Sequence, residues 1–338
     1  MTTTKRPQRW VAAAGLGLGL SLSLAACGGN LDSSGAAAAS ETYPNGPITM
    51  LVGQDAGGST DLIARALADT VSDDLGVPVT VENRPGANGA VAAKELAGAK
   101  PDGQTLMTFV GSLAYITPLA VGEAEALDIN DYTVVTGISQ DDYVLVTNPD
   151  SGFKTVKDIV DAGKPITFGT TGVGTGSQLS QELLFKQAKI KATAVPFDGG
   201  SPTLTAVLGG QVDVASVQLG EAIGQIKGGK LVPIVTFAKE RVKYLPDTPT
   251  AVEAGYSTPV QQSRAIVAPK GTSAEVVTRL DKAFRTAFAS DKYKAFNTER
   301  LLTPNEVSGK DLLTQWTTNL ETYRGVVKEY GINLSGGK

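Results

Sequence analysis

The sequence predicts an α/β fold in two lobes, each lobe a mostly parallel sheet flanked by helices. Three observations carry that prediction. Short apolar runs rich in β-formers alternate with segments of helical periodicity along most of the chain. Glycine-rich loops join a strand to a helix start at two well-separated places. The 338 residues exceed the usual size of one domain and favour two lobes.

Residues 1–26 stand outside that fold. Lys5, Arg6 and Arg9 form a positive start, and Val11 to Ala26 is an uncharged run of Ala, Gly, Leu and Ser. The run is shorter than the ~20 residues of a spanning helix, and no stop-transfer pattern follows, so it reads as a secretory signal. It ends Leu24-Ala25-Ala26-Cys27, which resembles the lipobox of bacterial lipoproteins. That resemblance implies lipidation of Cys27 and anchoring to a bilayer on the extracytoplasmic face of a bacterial membrane. Cys27 is the only cysteine, so no intramolecular disulfide is expected. Residues 27–42, low in complexity from Asn30 to Ser40, read as a flexible tether.

The body follows in order. Ile48–Val52 reads as a buried strand, and Leu62, Ile63, Ala66, Leu67 and Val71 form the stripe of a helix after it. Further strands are expected at Val77–Glu82, Thr105–Val110, Tyr132–Val146, Ile166–Phe168, Thr193–Val195, Val212–Val217, Val232–Phe237 and Gln261–Val267. Helices are expected at Ala90–Ala97, Val156–Ala162, Gln178–Gln187, Pro202–Leu208, Glu221–Ile226, Ala274–Phe288 and Asp311–Tyr330. Ser201-Pro202 offers an N-cap followed by Pro at the first helical position. In the last helix Leu313, Trp316, Leu320, Tyr323 and Val327 fall on one face. No solenoid-period repeat or heptad run occurs.

Composition excludes several chemistries. The chain has no histidine, which removes His-dependent triads and the commonest metal ligand. With Cys27 assigned to lipid, no thiolate nucleophile or zinc cluster is left. There is no G-x-S-x-G elbow, and Gly57-Gly58 is not followed by the Lys of a phosphate-binding P-loop. Ser151 and Lys154 match S-x-x-K without its companion motifs. Asp141-Asp142 reads as a solvated turn. An enzyme is therefore not expected, and no cofactor or metal is called for. The net charge is −4, and −7 once the three cations of residues 1–26 are removed, which argues against a nucleic-acid partner.

Two loops carry the positive expectation. Gly57-Gly58 breaks the first strand, and Ser59 or Thr60 can cap the helix that follows. Phe168 to Ser177 repeats the arrangement, with Thr175 and Gln178 at capping-box spacing. Each loop serves either as a tight turn or as a cradle of backbone N–H groups at a helix N-terminus, where an anion is favoured. Two such loops at the carboxyl ends of strands could grip one small anion from both sides of a cleft.

Six ordered motifs then carry a family resemblance: Ala56 to Asp61, Val81 to Gly89, Pro101-Asp102-Gly103, Val195 to Gly200, Leu208 to Asp213 and Leu245 to Gly255. Together they resemble the Bug-type solute receptors of tripartite tricarboxylate transporters over nearly the whole chain after Pro47. The resemblance implies a periplasmic-binding-protein fold with Venus-flytrap closure, an organic carboxylate ligand, and a membrane permease of one large and one small subunit as partner. A monomer is expected. Lobe 1 would comprise residues 43–132 and 263–338, lobe 2 residues 133–262, with hinge strands near 133–146 and 261–267. A sensor handing its ligand-bound state to a signalling kinase, and a secreted α/β hydrolase, are the rival readings.

Carried over by position, Gln54, Asp55, Ala56, Gly57, Gly58, Ser59 and Thr60 form one pocket wall. Thr170, Thr171, Gly174, Gly176 and Ser177 form the other. Ser112, Phe197 and Gln218 complete the lining. Arg84 to Gly86 is as easily a rigid turn, Asp213 is expected to cap or pair within its lobe, and Pro246 to Gly255 reads as a structural loop leading to a helix. Three departures from the family pattern bear on the ligand. Gly53-Gln54 replaces a Pro-aromatic pair, Asp55 stands where a small residue or proline is usual, and Arg264 replaces an aromatic. Asp55 and Arg264 could pair across the cleft mouth, Asp55 could meet an amine of a mixed-charge ligand, or both could face water.

Overall fold

The structure, a computed structural model, describes residues 43–122, 125–256 and 259–335. The predicted signal segment, the tether and Cys27 lie outside the described residues. Strand β1 (Ile48–Val52) leads into α1 (Ser59–Leu75), followed by β2 (Val79–Asn83), α2 (Ala90–Ala97), β3 (Thr105–Val110) and the single turn α3 (Ser112–Tyr115). The long β4 (Tyr132–Thr147) precedes α4 (Val156–Ala162), β5 (Ile166–Thr170), α5 (Gly176–Gln187) and β6 (Ala192–Pro196). Next come α6 (Gly200–Leu208), β7 (Val214–Gln218), α7 (Leu219–Lys227) and β8 (Val232–Thr236). The chain returns through β9 (Gln261–Pro269) and closes with α8 (Ala274–Ala289), α9 (Asp291–Arg300) and α10 (Gly309–Glu329).

Among the described residues the strands join in the order β2-β1-β3-β9-β4-β7-β5-β6, with β8 paired to β4. The parallel pairs are β1 with β2 and β3, and β5 with β6 and β7. Every antiparallel pair involves β4 or β9. Each half thus has a parallel core, and the two long strands make the sheet mixed. β4 belongs to both halves: Tyr132 to Asp142 pair with β9, whereas Tyr143 to Thr147 pair with β7 and β8.

Helices cover both faces, so the central strands are buried on both sides and read as near-continuous apolar runs, while the edge strands β2 and β6 are only part-buried. Ile48, Met50 and Val52 of β1 point toward α1 and α8, against Ile63, Leu67, Leu280 and Phe284. Leu51 points the other way, toward Leu96 of α2 and Trp316 of α10. In the second half Val144 and Val146 face α6 and α7, while Tyr143 and Leu145 face the side of α5.

All the expected strands and the seven bounded helices are present, with ends within two residues of those read from the sequence. The helix starts differ in detail. α6 begins at Gly200 rather than Pro202, because its N-cap is Gly199 at φ 107°, with no side-chain cap from Ser201. Thr175 does cap α5, accepting from Gln178 N–H at 3.3 Å, but the Gln178 amide oxygen accepts from Gly174 N–H at 2.8 Å. α9 was not foreseen: its sequence has no regular apolar stripe, and its start is set by Ser290, whose hydroxyl accepts from Tyr293 N–H at 3.2 Å. Asp213 pairs within its half as expected, accepting from the Thr167 N–H at 2.7 Å. Pro246 to Gly255 forms turns closed by Thr250 and Glu253 rather than leading into a helix.

The last helix is set against the long strand by a glycine. A Cβ on Gly309 would stand 1.9 Å from the Val134 carbonyl oxygen, a backbone atom held in the sheet. Gly309→Ala is expected to destabilise by about 1–3 kcal/mol, the usual cost of overpacking, or more if β4 cannot yield. Urea denaturation of wild type and variant measures it. An unchanged midpoint would show that the start of α10 is free to move.

Candidate functional site

The β1–α1 turn is held from within. Asp61, buried in the first turn of α1, accepts from Gly57 N–H at 2.8 Å, Arg65 Nε at 3.0 Å and Asn83 Nδ2 at 2.9 Å. Burial pushes its carboxyl up, but these three donors outweigh burial and hold it below the usual carboxylate range. Gly58 is the N-cap without a side-chain bond, so neither Ser59 nor Thr60 plays the capping role the sequence suggested.

Their hydroxyls turn instead to a buried guanidinium. Arg264 of β9 has no exposed surface. Its Nε donates to Thr60 Oγ1 at 3.2 Å. One terminal nitrogen donates to Asp141 Oδ2 and to Ser139 Oγ at 3.4 Å, the other to Ser59 Oγ at 3.0 Å and Gln218 Oε1 at 2.5 Å. All five N–H groups of the side chain have acceptors within the protein. The Arg264–Asp55 pairing considered from the sequence does not occur: Arg264 pairs with Asp141, and Asp55 is exposed at the rim. Asp141 is correspondingly not in a solvated turn but buried on β4, and it also accepts from Ser139 Oγ at 2.7 Å and Thr303 N–H at 2.9 Å. Burial pushes the Asp141 carboxyl up, while Arg264, Thr303 N–H and Ser139 pull it back.

A cleft lies above this floor. Gln54, Asp55, Ala56, Gly58, Ser59 and Thr60 line one side of a cavity of about 130 Å³, and Thr171 and Gln218 line it from the second half. It adjoins a wider cleft of about 570 Å³, where Asp55 and Gln54 face Thr171 and Phe197. Gly57 borders a deeper chamber of about 190 Å³ behind α1, together with Leu62, Leu204 and Phe296.

The remaining expected residues sit behind these walls. The Ser112 hydroxyl accepts from Asn88 Nδ2 at 3.1 Å, and Thr170 is buried. Gly174 packs on Thr117, whose hydroxyl donates to the Gly174 carbonyl at 3.0 Å. A Cβ on Gly176 would stand 2.7 Å from the Tyr143 ring. Ser177 Oγ donates to the Ser216 carbonyl at 2.6 Å. Several loop amides are also spoken for internally: Gly57 by Asp61, Gly58 by the Asp55 carbonyl, Thr171 by Ser177 Oγ and Gly174 by Gln178.

Sequence reasoning missed other lining groups. Asn88 enters from the β2–α2 turn, Gln262 from the start of β9, and Tyr143 from within β4 where its sheet partners change. Tyr143 donates to Gln262 Oε1 at 2.5 Å, and burial pushes its phenol well above the usual range, so it remains a donor. Asp198, Gly199 and Gly200 form a third strand–glycine–helix start, whose signal is the Asp-Gly-Gly that closes the Val195 to Gly200 motif. Glu221, three residues after Gln218 in the first turn of α7, also lines the cleft.

The floor yields a test. Arg264→Met should cost about 3–5 kcal/mol by leaving Asp141 buried without its cation. Arg264→Met combined with Asp141→Leu should recover most of that loss in the same denaturation experiment. If the double variant is no better than the single one, the pair is not the constraint described above.

The comparisons with known proteins agree with this architecture. Residues 63–332 match the family model described as tripartite tricarboxylate transporter family receptor. Protein BugT of Bordetella pertussis is 30% identical over 311 residues, covering 87% of this chain and 92% of its own. MatC from Rhodopseudomonas palustris, solved with bound malate, is similar at a TM-score of 0.78 and 27% identity, covering 84% of this chain and all of that one. A second R. palustris structure, solved with adipate, gives a TM-score of 0.80 at 25% identity over 86% of this chain and 99% of that one. With the two-lobed binding-protein fold and a family match over most of its length, the chain belongs to the tripartite tricarboxylate transporter receptor family, as a Bug-type solute receptor.

Proposed function

We propose that this receptor captures a small organic carboxylate in the cleft between its two halves and delivers it to a membrane permease with one large and one small subunit. The carrying observation is the convergence of loops from both halves, Gln54 to Thr60 on one side and Thr171, Phe197 and Gln218 on the other, on one cavity. Relatives solved with malate and adipate support a carboxylate as the ligand class. The division into residues 43–132 with 263–338, and 133–262, belongs to this reading. β4, which changes sheet partners after Asp142, and β9 act as the hinge crossings.

The binding mode follows from what is already satisfied. Arg264 has no donor to spare, so it organises Ser59, Thr60 and Gln218 rather than meeting the ligand. The ligand instead meets the side chains and backbone of both walls that face the cavity. Closure is favoured because a bound molecule touches both halves at once, which only the closed form permits. A thermal-shift screen against dicarboxylates, hydroxy acids and amino acids tests capture. A ligand at ~100 times its dissociation constant should add about 2.7 kcal/mol to stability. Small-angle scattering should show the radius of gyration falling on saturation. A folded protein that no carboxylate stabilises would sink the reading.

Lipid anchoring through Cys27 is part of the same proposal and rests on the lipobox resemblance. Cys27→Ser should abolish incorporation of labelled fatty acid and move the protein from the membrane fraction to the soluble one. Continued labelling of the variant would place the anchor elsewhere.

A further inference from the structure

Where α9 ends, two neighbouring leucines enter different cores. Leu301 packs against the apolar cluster of the second half, which holds Val144, Val207, Leu219 and Leu245. Leu302 belongs to the cluster of the first half, with Ile48, Leu280 and Phe288. The backbone makes this split possible. Leu302 N–H donates to the Asn297 carbonyl at 2.9 Å and Leu301 N–H to the Thr298 carbonyl at 3.4 Å, which turns the chain back at the helix end. Leu301 takes φ 54° there, the left-handed conformation that such an end usually gives to glycine. A leucine in that conformation is disfavoured unless its side chain gains something in return. Beyond it the chain is fixed to the long strand, with Gln140 N–H donating to the Thr303 carbonyl at 2.8 Å.

A second contact lies beside the first. A Cβ on Gly220, in the first turn of α7, would stand 2.1 Å from the Arg300 carbonyl oxygen, so the two backbones meet this closely only because the residue is glycine. Packing around these contacts is open. The chamber of about 190 Å³ borders one face of α9, at Phe296, Arg300 and Leu301. A groove of about 610 Å³ borders the other face, where Lys294 and Asn297 look across to Lys243 and Tyr244 of the second half. The end of α9 thus meets the second half at a contact with space on both sides.

We propose that Leu301 is a latch between the halves, seated in the cluster of the second half when the receptor is closed and withdrawn as the halves rotate apart about β4 and β9. This rests on the closure reading above. Leu302 and Thr303 keep the latch attached to the first half, and the flanking cavities let the leucine leave without breaking either core. Gly220 lets the backbones come close enough for Leu301 to seat. Burial of the leucine offsets its left-handed backbone and favours the closed form before a ligand arrives, so ligand contacts have less of the equilibrium to shift. The tie is apolar, and it acts beside the polar bonds that Gln218 makes with Arg264 and Ser59.

Small-angle scattering of the full chain tests this without a ligand, with Cys27→Ser in every sample so that no detergent is needed. Leu301→Asn keeps a residue that tolerates the left-handed conformation and removes the apolar side chain. Gly220→Ala wedges the same contact from the other half. Both are expected to raise the ligand-free radius of gyration, and Leu301→Met is expected to leave it at the wild-type value. Isothermal titration with malate and adipate, found in two solved relatives, should show binding about 5- to 10-fold weaker in Leu301→Asn, the worth of burying part of a leucine. A leucine that merely packs would lower the urea midpoint and leave the ligand-free radius and the affinity unchanged. That result would overturn the latch and leave the receptor reading standing. A wild type that binds a carboxylate without contracting would remove the closure itself, and the latch with it.

Discussion

A guanidinium taken wholly out of water needs an acceptor at every N–H, and Arg264 finds its acceptors on three separate elements. Thr60 and Ser59 come from the start of α1, Ser139 and Asp141 from β4, and Gln218 from the end of β7. Removing any one partner would leave a buried donor or charge unmet, which costs more than the bond itself contributes. The beginning of the first helix, the long shared strand and the loop of the second half are therefore placed with respect to one another by a single side chain. Asp141 is held in turn by the Thr303 amide, which ties the segment after α9 into the same network.

That constraint explains the cleft above it. Because Ser59 and Thr60 are committed downward, the start of α1 is stabilised by Asp61 from within the helix rather than by a hydroxyl cap. Because Gln218 reaches across to Arg264 and to Ser59 at 3.1 Å, the two halves touch at the cleft base through polar contacts. Cavity lies on either side of these contacts, so the cleft base is a polar bridge rather than an apolar seam.

The fold was legible because its signals are local and redundant. Ile48–Val52 and Thr105–Val110 are apolar runs with no alternative, and Ala90–Ala97 and Val156–Ala162 carry both periodicity and a glycine stop. Helix beginnings were less legible. Ser59, Thr60 and Ser201 are good capping residues, yet the caps are Gly58 and Gly199, since the hydroxyls of Ser59 and Thr60 had a stronger claim on them elsewhere. Asp141-Asp142 looked like a turn because two adjacent acids rarely enter a strand, and nothing nearby in the chain announces a cation 123 positions away.

The site divides in the same way. The first glycine loop, Thr171, Phe197 and Gln218 were found from motif order and do line the cleft, whereas Ser112, Gly176 and Ser177 support the wall from behind. The sequence by itself determined the alternation of strands and helices, the glycine turns and the absence of histidine chemistry, because these depend on residue type and near neighbours. Only the tertiary structure decided that Arg264 is buried and saturated and that Asp141 is its partner. Those facts depend on which distant residues the sheet order brings together, and the energy of a buried charge is set by such neighbours rather than by its own identity.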